Sequence, residues 1–466
     1  MNMTLADVER CLGGVAEEGH QDIRIHAVKT DSRTVEPGDL FVCINGENFD
    51  GHEFAAQAAK SGAAGIIASR MLGETDAPVI MVRDTESALG RLAACWRDMC
   101  GSKLIAVTGT AGKTTVKEML HAVLSRKYRT ARNYRNLNNQ IGLPLSMLKA
   151  DAEQEVWIME LGISHKGDME ALAPVAAPDL AVITNVGPGH LEGLGDEAGV
   201  ASAKTTLLRY LRRPGTAVVC RDYPLLWNAA REIVDAPIGF STHFQAEQPD
   251  TSYVASFLGG AEAEGWGRFR LKTPEGDGEI TAPFCGEHYA ENLACVAAVA
   301  RQLGLTRDDV AEGVKDMAVD AQRFCCKVGG DVTVIDDTYN ANPLSMARSI
   351  RTARNMADGG PLVLVLGDMR ELGGEAVMRH EALGRTVAEA NPAAVFYKGD
   401  HMGDVARAYG GEITPLASPG EFLEAWRETG IDRGVVLVKG SRSLKMEEYA
   451  NALCRELNAG AQGGTK

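Results

Sequence analysis

Apolar residues in this chain fall into two rhythms. The first is a series of short continuous runs. They are Leu104–Val107, Val156–Met159, Leu180–Thr184 and Ala217–Cys220, then Val332–Ile335, Leu362–Leu366, Ala394–Tyr397 and Val435–Val438. The second has helical spacing, as in Val116, Met119, Leu120, Val123 and Leu124, which recur at i, i+3, i+4, i+7 and i+8. Continuous apolar strands alternating with helices predict an α/β chain with parallel sheet covered on both faces. The first eighty or so residues read as a smaller unit. Strands are predicted at Asp39–Ile44, Gly65–Ala68 and Val79–Val82, and a helix at Glu53–Ser61. Residues 241–285 break the rhythm. There Phe269 and Leu271 alternate with Arg268, Arg270 and Lys272, which predicts a β-hairpin insertion. The tail Asn458–Lys466 reads as disordered.

In parallel sheets of this kind, ligands bind beyond the carboxyl ends of the strands. The unusual polar residues of this chain follow its apolar runs. Foremost is Gly109-Thr110-Ala111-Gly112-Lys113-Thr114-Thr115, directly after Leu104–Val107. Glycines let backbone N–H groups approach an anion, the helix start adds its positive dipole end, Lys113 adds a charge, and a Thr hydroxyl can ligate Mg²⁺. Val107 stands where the longer phosphate loop has its first glycine, so this is a shortened form, G-T-x-G-K-T.

Glu160 and His190 also follow strands, and a carboxylate and an imidazole beside a phosphate loop suit Mg²⁺. Taken singly, each is a weak signal: Glu160 also reads as a helix-start acid and His190 as a turn histidine. Lys204 reads as a solvated helix lysine, because an ammonium repels Mg²⁺. The loop Asn136-Leu137-Asn138-Asn139-Gln140 is rich in amides, suited to a sugar or peptide substrate or to helix capping. Thr30-Asp31-Ser32-Arg33 and Asn45–His52 read equally as Gly/Asp turns and as a pocket for a phosphorylated ligand. Three more polar clusters follow strands: Asp336–Pro343 with Asn340 and Asn342, Gly367–Gly373 with Asp368, and Lys439–Glu447 with Arg442. Carboxylates there suit ribose hydroxyls or an ammonium group, and Lys/Arg suit a carboxylate or phosphate.

Composition narrows the class. The 466 residues exceed a single core, so two to three domains are expected. A net charge of −15 argues against a general nucleic-acid or acidic-membrane binder. No apolar run approaches the roughly eighteen residues of a membrane span, and residues 1–10 carry no signal-peptide pattern. The ten cysteines are scattered without a C-x-x-C, which suits reduced thiols in the cytoplasm.

Together, and in order along nearly the whole chain, these motifs resemble the Mur ligase superfamily, ATP-dependent amide-forming enzymes of peptidoglycan synthesis. Asp-Asp-Thr-Tyr-Asn-Ala-Asn-Pro with Lys-Gly-Ser-Arg-Ser-Leu-Lys-Met-Glu is similar to the branch that adds D-alanyl-D-alanine. The resemblance implies three domains: UDP-substrate-binding at 1–83, a central phosphate-loop ATPase at 84–321, and a Rossmann-like domain at 322–466. It implies ATP contacts at Gly109–Thr115, His288, Asn292, Arg323 and Asp337. It implies Mg²⁺ held by Thr114, Glu160, His190 and a carbamylated Lys204. Lys113, Lys204, His190 and Glu160 would carry catalysis. Substrate contacts are expected at Ser32, Arg33, Asn136, Asn138, Asn139, Asn340, Asn342, Asp368, Lys439 and Arg442. The implied substrates are UDP-N-acetylmuramoyl-tripeptide and D-alanyl-D-alanine, handled by a monomer in the cytoplasm for cell-wall growth, cell shape and division. Three positions depart from the family pattern: Ala111 for Asn or Ser, Gln322 for the Gly before Arg323, and Thr205-Thr206 for Gly-Glu after Lys204. Two other readings stay open. A folylpolyglutamate synthetase-like ligase shares the short phosphate loop but lacks a UDP-binding domain, and a non-catalytic nucleotide-dependent scaffold needs no substrate.

Overall fold

Each apolar run becomes a strand: Lys103–Thr108, Val156–Glu160, Leu180–Ile183, Thr216–Cys220, Asp331–Asp336, Leu362–Gly367, Ala394–Lys398 and Arg433–Lys439. The computed structural model describes all residues except 16, 47–48, 135, 245–251, 262–264 and 464–466, and side chains are not described for 459–463. Glu47 and Asn48 of the Asn45–His52 turn thus lie outside the described residues. The chain forms two compact units. One comprises Met1–Thr108, Leu124–Ile183 and Lys204–Ala217; the other comprises Gly109–Val123, Thr184–Ala203 and Val218–Lys466.

The first unit holds a four-stranded parallel sheet, Val28–Lys29, Leu40–Val42, Gly65–Ala68 and Val79–Met81 in that order. Phe41, Cys43, Ala58 and Ile66 are buried on one side of it. It also holds the parallel series Leu180–Ile183, Lys103–Thr108, Val156–Glu160 and Thr130–Arg132. Val107 pairs with Glu160 and Thr108 with Ile183, so these strands end level. That register sets Glu160 at the carboxyl edge, where the chain turns into Gly109. The helix Thr85–Cys100 starts at Asp84, whose carboxylate accepts from Ser87 N, and stops at Gly101 in the left-handed region. Its Arg97 is buried, with Asp179 and the Ala176 and Ala177 carbonyls as partners. Burial draws the Arg97 pKa down to about 10.

One cysteine expectation is overturned. Cys11 and Cys95, 84 positions apart, are joined in a disulfide, and the other eight form none. The bond links the end of the helix Leu5–Cys11 to the helix Thr85–Cys100, a neighbourhood that sequence spacing does not reveal.

In the second unit, strands Tyr253–Gly260, Gly267–Thr273 and Gly276–Ala282 form an antiparallel meander. Ile238–Ser241 joins it in parallel. The expected hairpin is there. Phe269 and Leu271 are fully buried while Arg268, Arg270 and Lys272 face out. A six-stranded sheet runs Cys325–Gly329, Asp331–Asp336, Arg433–Lys439, Leu362–Gly367, Ala394–Lys398 and Thr414–Pro415. Only its first strand is antiparallel. Val334, Val365, Phe396, Phe422, Val436 and Tyr449 fill one of its faces. The tail expectation is corrected: a helix runs over Glu447–Gly463, and residues 464–466 lie outside the described residues.

Candidate active site

The phosphate loop is built in the second unit, between a strand end and the helix Lys113–Leu124. Gly109 and Gly112 have φ of +156° and +82°, where side chains are rarely tolerated. A Cβ at Gly109 would overlap the Thr184 hydroxyl, and one at Gly112 would stand 2.7 Å from Asn292 Oδ1. Ala111 is gripped from both sides of its own residue. Its N–H donates to Asn185 Oδ1 at 2.8 Å, while its carbonyl accepts from Thr184 Oγ1 at 2.8 Å and Asn185 Nδ2 at 3.0 Å. Thr110 N donates to the Asn185 carbonyl at 3.2 Å. Lys113 opens the helix and curls back, its Nζ donating to the Gly109 carbonyl at 2.8 Å. Thr115 follows within the first turn of that helix.

Of the groups further along the same unit, Arg323 reaches this loop, and His288, His190 and Asp337 have partners of their own. Arg323 donates from Nη2 to Thr114 Oγ1 at 3.1 Å and from Nε to Asp320, and lies over the Tyr339 ring. His288 sits among Tyr289 and Phe324. Its burial pushes the pKa down to about 4, so its ring is neutral at pH 7. His190 adopts a left-handed backbone, φ +54°, with its Nδ1 against the Glu371 carboxylate. Asp337 accepts from Ser349 Oγ at 2.6 Å and pairs with Lys439 Nζ at 2.7 Å.

In the first unit Glu160 is buried at its strand end. Asn133 satisfies its backbone, accepting from its N–H and donating to its carbonyl at 3.0 Å each. Asn138 Nδ2 donates to Glu160 Oε1 at 2.8 Å. The amide-rich loop therefore supports the carboxylate. Asn139 accepts from Gly142 N at the start of the helix Gly142–Lys149, and Asn136 is exposed. Lys204 is 2% exposed, which removes the reading of a solvated surface lysine.

Several substrate candidates turn out to have internal duties. Ser32 is buried and donates to Gln57 Oε1 at 3.2 Å. Asn342 caps the helix Pro343–Met356 by accepting from Ser345 N. Asp368 is fully buried and accepts from Tyr397 OH, Asp400 N and His401 N, so it shapes neighbouring loops. Lys439 is buried and also donates to the Asn340 carbonyl at 2.9 Å. A strand-end motif attracts a functional reading from sequence, yet a polar side chain at a strand end must first satisfy nearby backbone groups. Asn340 remains exposed, as does Arg442, which contacts Gln322 and Glu447. Arg33 is 81% exposed and pairs with Asp31 two residues away. Sequence reasoning passed over Glu291, Arg348 and Tyr223. The available signal was a carboxylate at 291, preceded by Tyr289-Ala290 and followed, after Asn292, by the apolar run Leu293–Ala300.

Among the described residues, Cys220, Asp222 and Glu291 also lie close enough to suggest a metal cluster. The surroundings argue otherwise. Asp222 accepts from Ser241 and from Thr242 N and Oγ1, Glu291 is taken by Arg348, Tyr223 and Asn185, and burial holds the Cys220 thiol protonated.

Three stretches match known families in chain order. Residues 24–97 match the Mur ligase family catalytic domain, 107–300 the Mur ligase middle domain, and 322–442 the Mur ligase glutamate ligase domain. The UDP-N-acetylmuramoyl-tripeptide–D-alanyl-D-alanine ligase of Bacillus subtilis (strain 168) is 33% identical over 453 residues, covering 96% of each chain. The crystal structure of MurF from Acinetobacter baumannii superposes with a TM-score of 0.88 at 29% identity, covering 98% of this chain and 99% of that one. MurF ligase from Thermotoga maritima in complex with ADP superposes with a TM-score of 0.84 at 27% identity, covering 94% and 98%. The chain belongs to the Mur ligase family, within its UDP-N-acetylmuramoyl-tripeptide–D-alanyl-D-alanine ligase branch.

Proposed function

We propose that this chain joins D-alanyl-D-alanine to UDP-N-acetylmuramoyl-tripeptide at the expense of ATP, in peptidoglycan precursor synthesis. The observation that carries the reading is the phosphate loop: two glycines, an Ala111 peptide fixed by Thr184 and Asn185, and a helix start, in a chain that matches such ligases end to end. A carboxylate oxygen of the tripeptide attacks the γ-phosphorus of ATP, and the bond to the β-phosphate oxygen breaks to release ADP. The dipeptide amine, having lost a proton, attacks the acyl carbon. The C–O bond to phosphate breaks and an amide is left. No covalent enzyme nucleophile is required, so positioning and charge stabilisation carry the rate. Lys113, the helix start and Arg323 supply positive charge for the phosphates.

The donor set fits Mg²⁺. A hydroxyl, a carboxylate and one imidazole leave most of an oxygen-rich shell to phosphates and water. Thr114, Glu160 and His190 would hold the ion, with Lys204 as its carbamate. When bound, the ion neutralises charge on the phosphates. The burial of Lys204 supports the carbamate, because a ligand of that kind needs a fixed side chain. Three domains, 1–83, 84–321 and 322–466, a cytoplasmic location and a monomeric state complete the proposal. No helix among the described residues is long and apolar enough to cross a membrane. Exposed Arg33, Asn136, Asn139, Asn340 and Arg442 are the remaining candidates for substrate contact.

Phosphate release tests the reading. It should require both UDP-N-acetylmuramoyl-tripeptide and D-alanyl-D-alanine, and release independent of the dipeptide would overturn it. For Lys204, replacement by Ala should cost at least the roughly 10–100-fold seen for changes around metal sites. Short-chain carboxylic acids should restore part of the loss. Full activity of Lys204→Ala without any additive would eliminate the carbamate.

A further inference from the structure

Glu291 is 1% exposed in the helix Glu287–Gln302, which is buried along nearly all of its length. A carboxylate in that place persists only if it is paired and hydrogen-bonded. Four donated bonds hold it. Arg348 reaches it with both terminal nitrogens, Nη1 to Oε1 at 3.1 Å and Nη2 to Oε2 at 2.6 Å. Tyr223 OH donates to Oε2 at 2.9 Å and Asn185 Nδ2 to Oε1 at 2.7 Å. Arg348 Nη2 also contacts the Tyr223 hydroxyl. Burial opposes the charge on Arg348, but Glu291 more than offsets it, so the guanidinium stays charged.

The same Asn185 amide grips both the N–H and the carbonyl of Ala111 in the phosphate loop. The next residue after Glu291 is Asn292, which abuts Gly112. A continuous chain of contacts therefore runs from Arg348 through Glu291 and Asn185 to the loop. Its two ends come from different family modules. Arg348 lies within the stretch matching the glutamate ligase domain, and the other members lie within the middle domain. The helix that carries Arg348 also supplies Ser349 to Asp337, itself paired with Lys439.

We propose that Arg348 is a positioning residue for the ATP half-reaction: its bidentate grip on Glu291 fixes Asn185, and so holds the phosphate loop in register when the last module is seated. This inference rests on the ligase reading above and names a residue that the phosphate-loop motif does not include. A salt bridge that served stability alone would lower the melting temperature and leave the kinetic constants of the folded fraction alone. A positioning role separates the substrates.

The test uses the full chain, with Arg348→Met, Arg348→Lys and Glu291→Gln compared with wild type. Calorimetric binding of Mg-ADP and steady-state phosphate release are measured, with ATP and the UDP-substrate varied in turn. Arg348→Met should weaken Mg-ADP binding about tenfold, within the usual range of coupling between sites. It should raise KM for ATP and lower kcat, with KM for the UDP-substrate unchanged. Arg348→Lys should recover part of the loss. Glu291→Gln keeps the side-chain shape, serves where Arg348→Met does not fold, and should shift the same constants in the same direction. Wild-type ADP affinity and KM for ATP in a folded variant would overturn the proposal. So would equal changes in the KM of both substrates. The ADP-binding arm reports on the strut even if dipeptide-dependent turnover fails, so failure of the ligase reading and failure of this inference are told apart.

Discussion

Two arginine–carboxylate pairs in this molecule have nearly the same length and different consequences. Arg348 and Glu291 meet at 2.6 Å within a shell where Glu291 is almost fully buried. Arg33 and Asp31 meet at 2.7 Å on a turn where the arginine is mostly exposed. The first pair is one link in a chain of hydrogen bonds that reaches the phosphate loop. The second closes on itself within three residues, with Asp31 accepting from the Arg33 backbone and side chain. Distance alone says nothing about this contrast. Burial decides it, because an uncompensated charge is costly only where water cannot reach it. The exposed pair can dissociate to meet a ligand; the buried pair cannot, and it can only orient what it touches.

The largest effect should come from breaking the buried pair. Glu291→Ala leaves the Arg348 guanidinium without its counter-charge, and loss of one partner of such a pair costs about 3–5 kcal/mol. Urea denaturation should show this, and a loss no larger than that of an ordinary surface substitution would remove the distinction between the two pairs. Next comes Lys113→Ala, at the loop that the buried shell supports. Loss of a contact that stabilises developing charge costs about 2.7–4 kcal/mol in the barrier, or about 10²–10³ in rate. Near wild-type phosphate release from a folded Lys113→Ala chain would defeat the phosphate-loop assignment.

His288 sharpens the comparison through pH. Burial holds its folded-state pKa at about 4, below the ordinary value of 6.5. Between those values the unfolded chain binds a proton that the folded chain does not. Stability therefore falls as pH drops from 6.5 to 4, by about 3 kcal/mol in total, and this contribution is flat above 6.5. His288→Gln should flatten that part of the stability profile, and an unchanged slope would show that the imidazole is not held neutral. The smallest structural effect belongs to Arg33→Ala. Its melting temperature should match wild type, while KM for the UDP-substrate rises and KM for ATP stays put. Equal changes in both KM values, or no change in either, would make Asp31–Arg33 a turn and nothing more.

The sequence by itself determined the strands and the phosphate loop, because both are local. Leu104–Val107 followed by Gly109–Thr114 needs no distant partner to end a strand, free the backbone and start a helix. Alternation at Phe269 and Leu271 likewise sufficed for the hairpin, since one face of each strand had to be buried. The tertiary structure alone decided which polar residues stay exposed and which are taken up by partners inside the fold. Asn342 and Asp368 sit in motifs as conspicuous as the phosphate loop, yet one caps a helix and the other is sealed behind Tyr397. The pairing of Glu291 is not legible in sequence, because its partners, Asn185, Tyr223 and Arg348, lie 106, 68 and 57 positions away. The bond between Cys11 and Cys95 was hidden for the same reason. Backbone preference and side-chain periodicity act over a few residues, whereas burial and charge pairing depend on which distant segments the fold brings together.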